Sequence, residues 1–278
     1  MSVIMKIPII MCHGVQRKAE GDKPLTLENF ERLIKIAGDG ELGFESIHYE
    51  HLAAWRNGLA SPTLPKRPIM IDFDHPVITM RYEVFEVLSR YNFKGNLFVN
   101  TGGLDAMYRE PLPPRDKRTL MTWEEIGDLV GAGWHMGAHT VTHPNLSKLS
   151  LEDPTGEKIR NELTGNNETL RKQLGITPKD FAFTGTSWSS IAEKEVMKLY
   201  RFGRLWIVGN EYQADGKKIR YADLVGVSGA DEADGGPPFA ARYITRETPA
   251  HRLPSMELQA LIFEPAAFRG YLEGALQS

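Results

Sequence analysis

The ten residues Gly137-Ala138-His139-Thr140-Val141-Thr142-His143-Pro144-Asn145-Leu146 carry two histidines four positions apart. On a helix, this spacing would place both imidazoles on one face, where they can share a metal ion. Pro144 argues against a helix, because the residue before a proline is driven out of the α region toward extended geometry. We therefore predict a strand that ends near Ala138, followed by a turn that carries both imidazoles. Neutral imidazole is the commonest metal ligand, so the turn is a candidate metal site, with two isolated surface histidines as the alternative.

The composition is that of an ordinary globular protein. The chain has 278 residues, of which 41% are hydrophobic and 25% charged, enough for one large α/β domain or two small ones. The formal net charge of -3 gives no reason to expect nucleic acid or an anionic membrane as a partner. The single cysteine, Cys12, excludes an intrachain disulfide framework, and we expect it to be a small buried core residue.

No segment of the sequence has the pattern of a membrane span or a targeting signal. A run of about 18 apolar residues, which a membrane helix requires, is absent from the sequence. Residues 1–12 are apolar but are interrupted by Lys6 and Pro8, and they lack the basic region and small-residue cleavage site of a signal peptide. We predict a cytoplasmic protein, and the sequence leaves open whether it forms a homo-oligomer.

Short apolar runs alternate with helical patterns along the whole chain. The runs predicted as strands lie at 7–13, 44–49, 69–76, 97–99, 181–183, 205–208 and 258–263. This alternation predicts βαβ units and a parallel sheet. About seven or eight strands without a Gly-x-Gly-x-x-Gly fingerprint favour a barrel over an open nucleotide-binding sheet.

Helix-start signals support this pattern, and two regions depart from it. Thr26 is a candidate helix cap, and Thr122 with Glu125 and Ser190 with Glu193 form candidate capping boxes. The helical spacing of apolar residues over 159–174 is interrupted around Gly165. Residues 210–238 are polar and rich in glycine, so we predict a long loop, a kind of segment that is often a lid.

Five side chains fall at the predicted carboxyl ends of strands: His13, Asp74, His75, His139 and His143. In a barrel, these ends gather into one site. Three imidazoles and a water form a catalytic zinc site, which lowers the pKa of the water and polarises a carbonyl oxygen. A carboxylate beside the metal takes the proton of the water and passes it to a leaving amine. Asp74 is the candidate for this role, and a cap for the following helix is the alternative.

Asp72 lies two residues before Asp74, so a strand would place both on one face. We therefore predict that Asp72 bonds a ligand imidazole and orients it.

At these residues the chain resembles the polysaccharide deacetylase family, the NodB homology domain of carbohydrate esterase family 4. That family carries Thr-Phe-Asp-Asp-Gly at a strand end and His-[Ser/Thr]-x-x-His farther along. The second motif is intact from His139 to Pro144, and the first stands as Asp72-Phe73-Asp74-His75-Pro76. With the phenylalanines aligned, the resemblance implies that Asp74 is the catalytic aspartate. It also implies that His75 replaces the metal-binding aspartate, giving a three-histidine site.

The resemblance covers roughly residues 8–208. Part of it is to one branch of the family, in which the first strand ends in Tyr-His-x-[Val/Ile]. Here that segment is Met11-Cys12-His13-Gly14-Val15. The family implies an irregular (β/α)7-type barrel with parallel strands, and we expect residues 1–278 to form a single catalytic domain. It also implies a divalent metal ion such as zinc, and hydrolysis of N-acetyl groups on amino sugars.

Two family motifs are altered. Phe183-Thr184-Gly185-Thr186-Ser187-Trp188 replaces the third motif, which shapes the substrate groove. The fifth motif, a leucine-rich strand ending in a general-acid histidine, stands here as Leu261-Ile262-Phe263-Glu264-Pro265. Glu264 is a candidate acid if burial raises its pKa, and an ordinary strand-end carboxylate otherwise. His13 is the other candidate acid.

The leading hypothesis is a metal-dependent hydrolase of a carbon–nitrogen amide bond in an N-acetylated sugar or polysaccharide. Hydrolysis of a small or cyclic amide on the same scaffold is an alternative within the enzyme class. An inactive barrel that binds carbohydrate is an alternative of another class. Trp188 and Trp206 are candidates either to stack on a sugar or to fill the core. We expect His135 either to support a site residue from behind or to be structural.

Overall fold

The computed structural model describes residues 5–38, 40–209 and 211–277. The strands in these ranges are β1 (Ile7–Cys12), β2 (Glu45–Ser46), β3 (Pro68–Asp74), β4 (Asn96–Val99), β5 (His135–Ala138), β6 (Asp180–Ala182), β7 (Ser187–Trp188), β8 (Phe202–Ile207), β9 (Tyr212–Ala214), β10 (Lys217–Ile219), β11 (Tyr243–Ile244) and β12 (Leu253–Glu257).

The α-helices are α1 (Leu27–Ala37), α2 (Tyr49–Arg56), α3 (Phe85–Arg90), α4 (Gly102–Met107), α5 (Trp123–Gly131), α6 (Leu146–Glu152), α7 (Glu157–Leu174), α8 (Ser190–Leu199), α9 (Tyr221–Leu224) and α10 (Pro265–Leu276). A π-helical segment, Met80–Val84, leads into α3, and short 3-10 helices lie at Arg115–Lys117 and Phe239–Ala241. No helix within the described ranges is long and apolar enough to cross a bilayer.

Seven parallel strands close into a barrel in the order β1, β12, β8, β6, β5, β4 and β3. Ring closure depends on β1, which pairs with β3 on one side and with β12 on the other. Outside the ring, β2 extends β3, and β11 pairs antiparallel with β1. The predicted (β/α)7-type barrel of parallel strands is therefore confirmed.

The barrel wall follows from the apolar runs, since every residue of β1 and β3 is buried. One glycine in the wall is required by close packing: a Cβ on Gly137 would lie 2.3 Å from the Phe98 ring. The predicted cap at Thr26 and the capping box of Thr122 with Glu125 are both present. At α8 the capping residue is Ser189 rather than the predicted Ser190, because the Ser189 hydroxyl accepts the hydrogen bond from the Ala192 backbone amide.

The last barrel strand is not at 258–263, where the sequence predicted it, but at β12. The buried residues of 258–263 form a turn instead. The true strand was overlooked because Pro254, Ser255 and Glu257 break its apolar pattern. Ser255 and Glu257 are nevertheless buried, since they face a polar barrel interior.

Two other predictions need correction. The predicted loop at 210–238 contains β9, β10 and α9; residue 210 itself lies outside the described residues. Asp215 and Gly216 both have positive φ angles, 48° and 75°, as a tight hairpin turn between these two strands requires. Helix α7 runs unbroken through Gly165, where the absence of a side chain lets the helix approach Val141.

Candidate active site

Three imidazoles meet at the carboxyl end of the barrel. His75 directly follows β3, and His139 directly follows β5. Their ring centroids are 5.1 Å apart, and His143 lies 4.7 Å from His75 and 4.8 Å from His139. One ring nitrogen from each residue lies within 4.8 Å of the other two. The structure thus brings together the three residues predicted as metal ligands.

Hydrogen bonds on the far side of two rings fix which nitrogen faces the cluster. Nδ1 of His139 donates to the carbonyl oxygen of Ala182 at 2.8 Å, and Nδ1 of His75 lies 2.8 Å from Oδ1 of Asn100. Nε2 of His139 is buried and has no hydrogen-bond partner among the residues that the structure describes. This is the arrangement expected of a metal-binding imidazole, whose second nitrogen is held by a carbonyl or carboxylate.

The histidine turn has the irregular backbone that Pro144 indicated. Thr140 and His143 have φ angles of 65° and 59°, and His75 also has a φ of 65°. Left-handed conformations cost non-glycine residues free energy, about 1–3 kcal/mol each, and persist only where surrounding contacts impose them. The His143 backbone amide donates to Oγ1 of Thr140 at 3.0 Å, which is one such contact. The predicted turn, rather than a helix, is confirmed.

Burial lowers the pKa of His139 well below 6.5, and the neighbouring imidazoles contribute to this effect. Burial and His75 also lower the pKa of His143. Both rings are therefore neutral near pH 7, as a metal ligand must be.

Asp74 lies beside these rings, with Oδ2 at 3.9 Å from Nε2 of His139. Burial alone would raise the pKa of this carboxyl, but Arg204 and the nearby imidazoles outweigh burial and lower it to about 2. The Arg204 guanidinium contacts Asp74 directly, and both side chains are almost fully buried. Asp74 is consequently ionised at neutral pH, the state that a general base requires.

Asp72 lies on the same face of β3 as Asp74, and both carboxylates contact Arg204. It accepts hydrogen bonds from Tyr49 at 2.6 Å and from Asn96 at 2.9 Å. These contacts lie deeper in the barrel than the histidine cluster, so the prediction that Asp72 orients a ligand imidazole is wrong. Burial raises the pKa of Asp72 to about 6.

His13 lies at the mouth of the same site. Its ring stacks on His75 at a centroid distance of 5.3 Å and meets Trp206 edge-on at 5.2 Å. Burial lowers the pKa of His13 to about 4. Nδ1 of His13 lies 4.0 Å from Oε2 of Glu257, the last residue of β12.

Glu257 is a site residue that the sequence reasoning missed. It is 3% exposed and accepts a hydrogen bond from Nε1 of Trp206 at 2.7 Å. Burial raises its pKa to about 7. Arg204 was missed as well. Each is a charged residue in a strand of mostly buried residues, a feature that is visible only once the strands are known.

Glu264 is placed differently from its prediction. It precedes α10 as the residue before the first helical proline, and its side chain is exposed. The expectation that Glu264 ends a barrel strand is therefore wrong, because that strand ends at Glu257. Trp188 is 5% exposed and lies under the guanidinium of Arg252, so it belongs to the core.

A second cluster of histidine and carboxylates lies at the amino end of the barrel. His135 begins β5, and its Nδ1 and Nε2 lie 3.2 Å from Glu50 and 3.2 Å from Asp180. Arg201 binds both carboxylates, at 2.6 Å from Asp180 and 3.2 Å from Glu50. Burial opposes protonation of His135, but its contacts with Asp180 and Glu50 raise its pKa to about 9. The predicted structural position of His135 agrees with this placement.

The donor set at the carboxyl end fits a transition metal. Three convergent imidazoles, one with an unpartnered buried nitrogen, match the three-histidine ligand set of catalytic zinc sites. The residues that would hold such an ion are His75, His139 and His143.

A family model described as polysaccharide deacetylase matches residues 61–200, just over half of the 278 residues. The chain belongs to the polysaccharide deacetylase family. As a member, it is a hydrolase that acts on carbon–nitrogen bonds other than peptide bonds. The matched residues of this deacetylase include Asp74 and all three clustered imidazoles. His13, Arg204 and Glu257 lie outside the matched range.

Solved structures share the fold of this deacetylase. The deacetylase PplD of Streptococcus pyogenes, solved with acetate, superposes with a TM-score of 0.68 at 17% identity, covering 97% of this chain and 99% of its own. BC0361, a polysaccharide deacetylase from Bacillus cereus, gives 0.66 at 17% identity, covering 97% and 69%. IcaB from Ammonifex degensii gives 0.63 at 13% identity, covering 98% of each chain. No curated protein matches the sequence significantly.

Proposed function

We propose that this deacetylase is a metal-dependent enzyme that removes the acetyl group from an N-acetylated amino sugar in a carbohydrate. One observation carries the proposal: three convergent imidazoles, one with an unpartnered nitrogen, lie beside the buried, ionised Asp74. The family match supports the deacetylase chemistry. The acetate in the PplD structure, which is the product of such a reaction, is consistent with it.

We assign the metal site to His75, His139 and His143, with zinc as the proposed ion. A bound zinc ion would polarise the amide carbonyl and make water a stronger nucleophile near pH 7. Asp74 acts as the general base that accepts a proton from the attacking water. Arg204 is a positioning residue in this scheme, since it keeps Asp74 ionised and fixes its orientation.

We assign protonation of the departing amine to His13 and Glu257. The His13 side chain is 31% exposed, whereas Glu257 behind it is 4% exposed. We propose that His13 contacts the leaving group and relays to it the proton that Glu257, 4.0 Å from Nδ1 of His13, gives up, which leaves Glu257 as the carboxylate. Glu257 suits this role, because a group with a pKa of about 7 exchanges protons readily at neutral pH. Trp206, which contacts both residues, offers an apolar edge for a sugar ring.

Two predictions that concern the whole chain are retained as proposals: residues 1–278 form a single catalytic domain, and the protein acts in the cytoplasm.

Acetate release tests the proposed function. The purified protein, loaded with Zn2+ or Co2+, is incubated with N-acetylglucosamine oligomers and with small linear and cyclic amides. We expect acetate and free amine from the oligomers, and release that is about 10²- to 10⁴-fold slower in Asp74→Asn. Turnover of the small amides alone would contradict the carbohydrate assignment. Turnover that is unchanged after metal removal by a chelator would contradict metal dependence.

A further inference from the structure

Helix α7 contacts the histidine turn through two side chains one helical turn apart. Oε2 of Glu162 accepts hydrogen bonds from the backbone amides of Val141 at 2.9 Å and Thr142 at 2.8 Å. Its other oxygen, Oε1, accepts the Thr142 hydroxyl at 2.7 Å. A single carboxylate thus takes three hydrogen bonds from the two residues midway between His139 and His143.

Asn166 holds the other side of the same turn. Its Nδ2 donates to the carbonyl oxygen of Thr140 at 2.6 Å and to that of Val99, at the end of β4, at 2.9 Å. The side chain is fully buried, so these bonds are not exchanged with water. Asn166 therefore ties the turn both to α7 and to the neighbouring barrel strand.

The helix is able to make these bonds because it approaches the turn closely. A Cβ on Gly165 would lie 3.2 Å from Cγ2 of Val141, which is tighter than most packing contacts. The turn needs such support, because Thr140 and His143 both have left-handed φ angles. Thr140 is β-branched and is a poor residue for that conformation.

We propose that Glu162 and Asn166 are positioning residues that hold the turn between His139 and His143 in its metal-binding geometry. The proposal rests on the metal centre proposed above and adds residues that lie outside it. Groups that orient metal ligands from behind change metal affinity about 10- to 100-fold when they are removed. Glu162 acts through the backbone amides of the turn rather than through an imidazole.

Metal affinity of the full chain provides the test. Dissociation constants for Zn2+ and Co2+ are measured by competition with a chromophoric chelator for the wild type, Glu162→Ala and Asn166→Ala. We expect affinity to fall about 10- to 100-fold in each variant, with a changed visible spectrum of bound Co2+. Glu162→Ala removes all three hydrogen bonds to the turn, whereas a glutamine could keep both backbone amides on its carbonyl oxygen.

Two control variants on α7 separate positioning from a general loss of stability. Glu168→Ala removes an exposed carboxylate from the same helix. Leu170→Ala removes a fully buried side chain of α7 and lowers stability away from the turn. We expect both controls to bind metal with wild-type affinity. A loss of affinity in Leu170→Ala as large as that in Glu162→Ala would overturn the proposal.

Amide hydrogen exchange of residues 139–143 in metal-free protein gives a readout independent of metal and activity. We expect exchange at Val141 and Thr142 to be at least about 10-fold faster in Glu162→Ala than in the wild type. Unchanged metal affinity in Glu162→Ala would overturn the positioning role while leaving the metal centre intact. A wild-type protein that binds no metal would contradict the metal centre, and the positioning proposal would fail with it.

Discussion

Two clusters of histidines and carboxylates lie at opposite ends of this barrel, and their chemistry differs. At the carboxyl end, the buried Nε2 of His139 lies 3.9 Å from Asp74, beyond hydrogen-bond distance, and burial lowers the pKa of His139. At the amino end, both nitrogens of His135 face carboxylates, which raise its pKa to about 9 against the opposing effect of burial. A count of potential ligands alone would mark both groups as metal sites.

The difference lies in how each charge is balanced. At the amino end, protonated His135 and Arg201 neutralise Glu50 and Asp180, so no net charge remains to attract a cation. At the carboxyl end, Arg204 is directed to Asp72 and Asp74, and each of the three imidazoles has one nitrogen within 4.8 Å of the other two. The same residue types therefore form an ion-pair network at one end and a candidate metal site at the other.

The largest difference between the two ends is expected in catalysis. Asp74→Asn should lower kcat by about 10²- to 10⁴-fold, because it removes the general base while keeping the shape of the side chain. Glu50→Gln at the amino end should leave kcat within about 2-fold of the wild type. Acetate release measures both, and circular dichroism verifies that the variants are folded. A fall of less than about 10-fold in Asp74→Asn would exclude Asp74 as the base.

The two arginines should differ in their contributions to stability. Arg204 is fully buried, so Arg204→Met leaves two buried carboxylates without their cation and should cost about 3–5 kcal/mol. Arg201 is 31% exposed, and His135 still faces Asp180 when the Arg201 guanidinium is removed. Arg201→Met should therefore lower the free energy of unfolding by less than half as much as Arg204→Met. Urea unfolding measures the free energy of unfolding of both variants. Equal losses would contradict the claim that the carboxyl end depends more strongly on its arginine.

The amino-end network should make stability depend on pH. Because the pKa of His135 is about 9 in the folded protein and about 6.5 when unfolded, its stabilisation is full below pH 6.5. This stabilisation is lost as the pH rises through 9. His135→Gln should therefore be less stable than the wild type by about 2–3 kcal/mol at pH 6, and the gap should close by pH 10. Urea unfolding at the two pH values measures it, and a gap independent of pH would disprove the protonated bridge.

The smallest effect concerns the two glutamates near the end of the chain. Glu257→Gln should lower kcat about 10-fold without changing metal content, because it removes the proton source behind His13. Glu264→Gln, at an exposed position, should change kcat by less than about 2-fold. If kcat fell further in Glu264→Gln than in Glu257→Gln, the assignment of Glu257 as the proton source would be wrong.

The sequence predicted the barrel and the histidine turn because both have local signals. Buried runs of apolar residues mark most strands, and Pro144 excludes a helix at the turn. His75 was identified from the polar residues that directly follow one such run. These features depend on neighbours in the sequence, so they are readable without the fold.

Arg204 and Glu257 could not be placed in the same way. Arg204 contacts Asp74, which lies 130 residues earlier in the sequence. A local sequence pattern cannot predict a contact between residues so far apart. Glu257 ends a strand whose polar residues face the barrel interior, so its pattern resembles that of a loop. The apolar run at 258–263 was taken for the strand instead, so the predicted strand-end carboxylate was Glu264.

Metal content is the most direct test of the contrast between the two ends. Elemental analysis is made on purified wild type and on His75→Ala, His139→Ala and His135→Ala. We expect about one transition-metal ion per chain in the wild type and in His135→Ala, and none in the two carboxyl-end variants. Metal that persists in His139→Ala, or disappears only in His135→Ala, would contradict the assignment of the metal to the carboxyl end. Metal lost in His139→Ala but kept in His75→Ala would remove His75 from the ligand set.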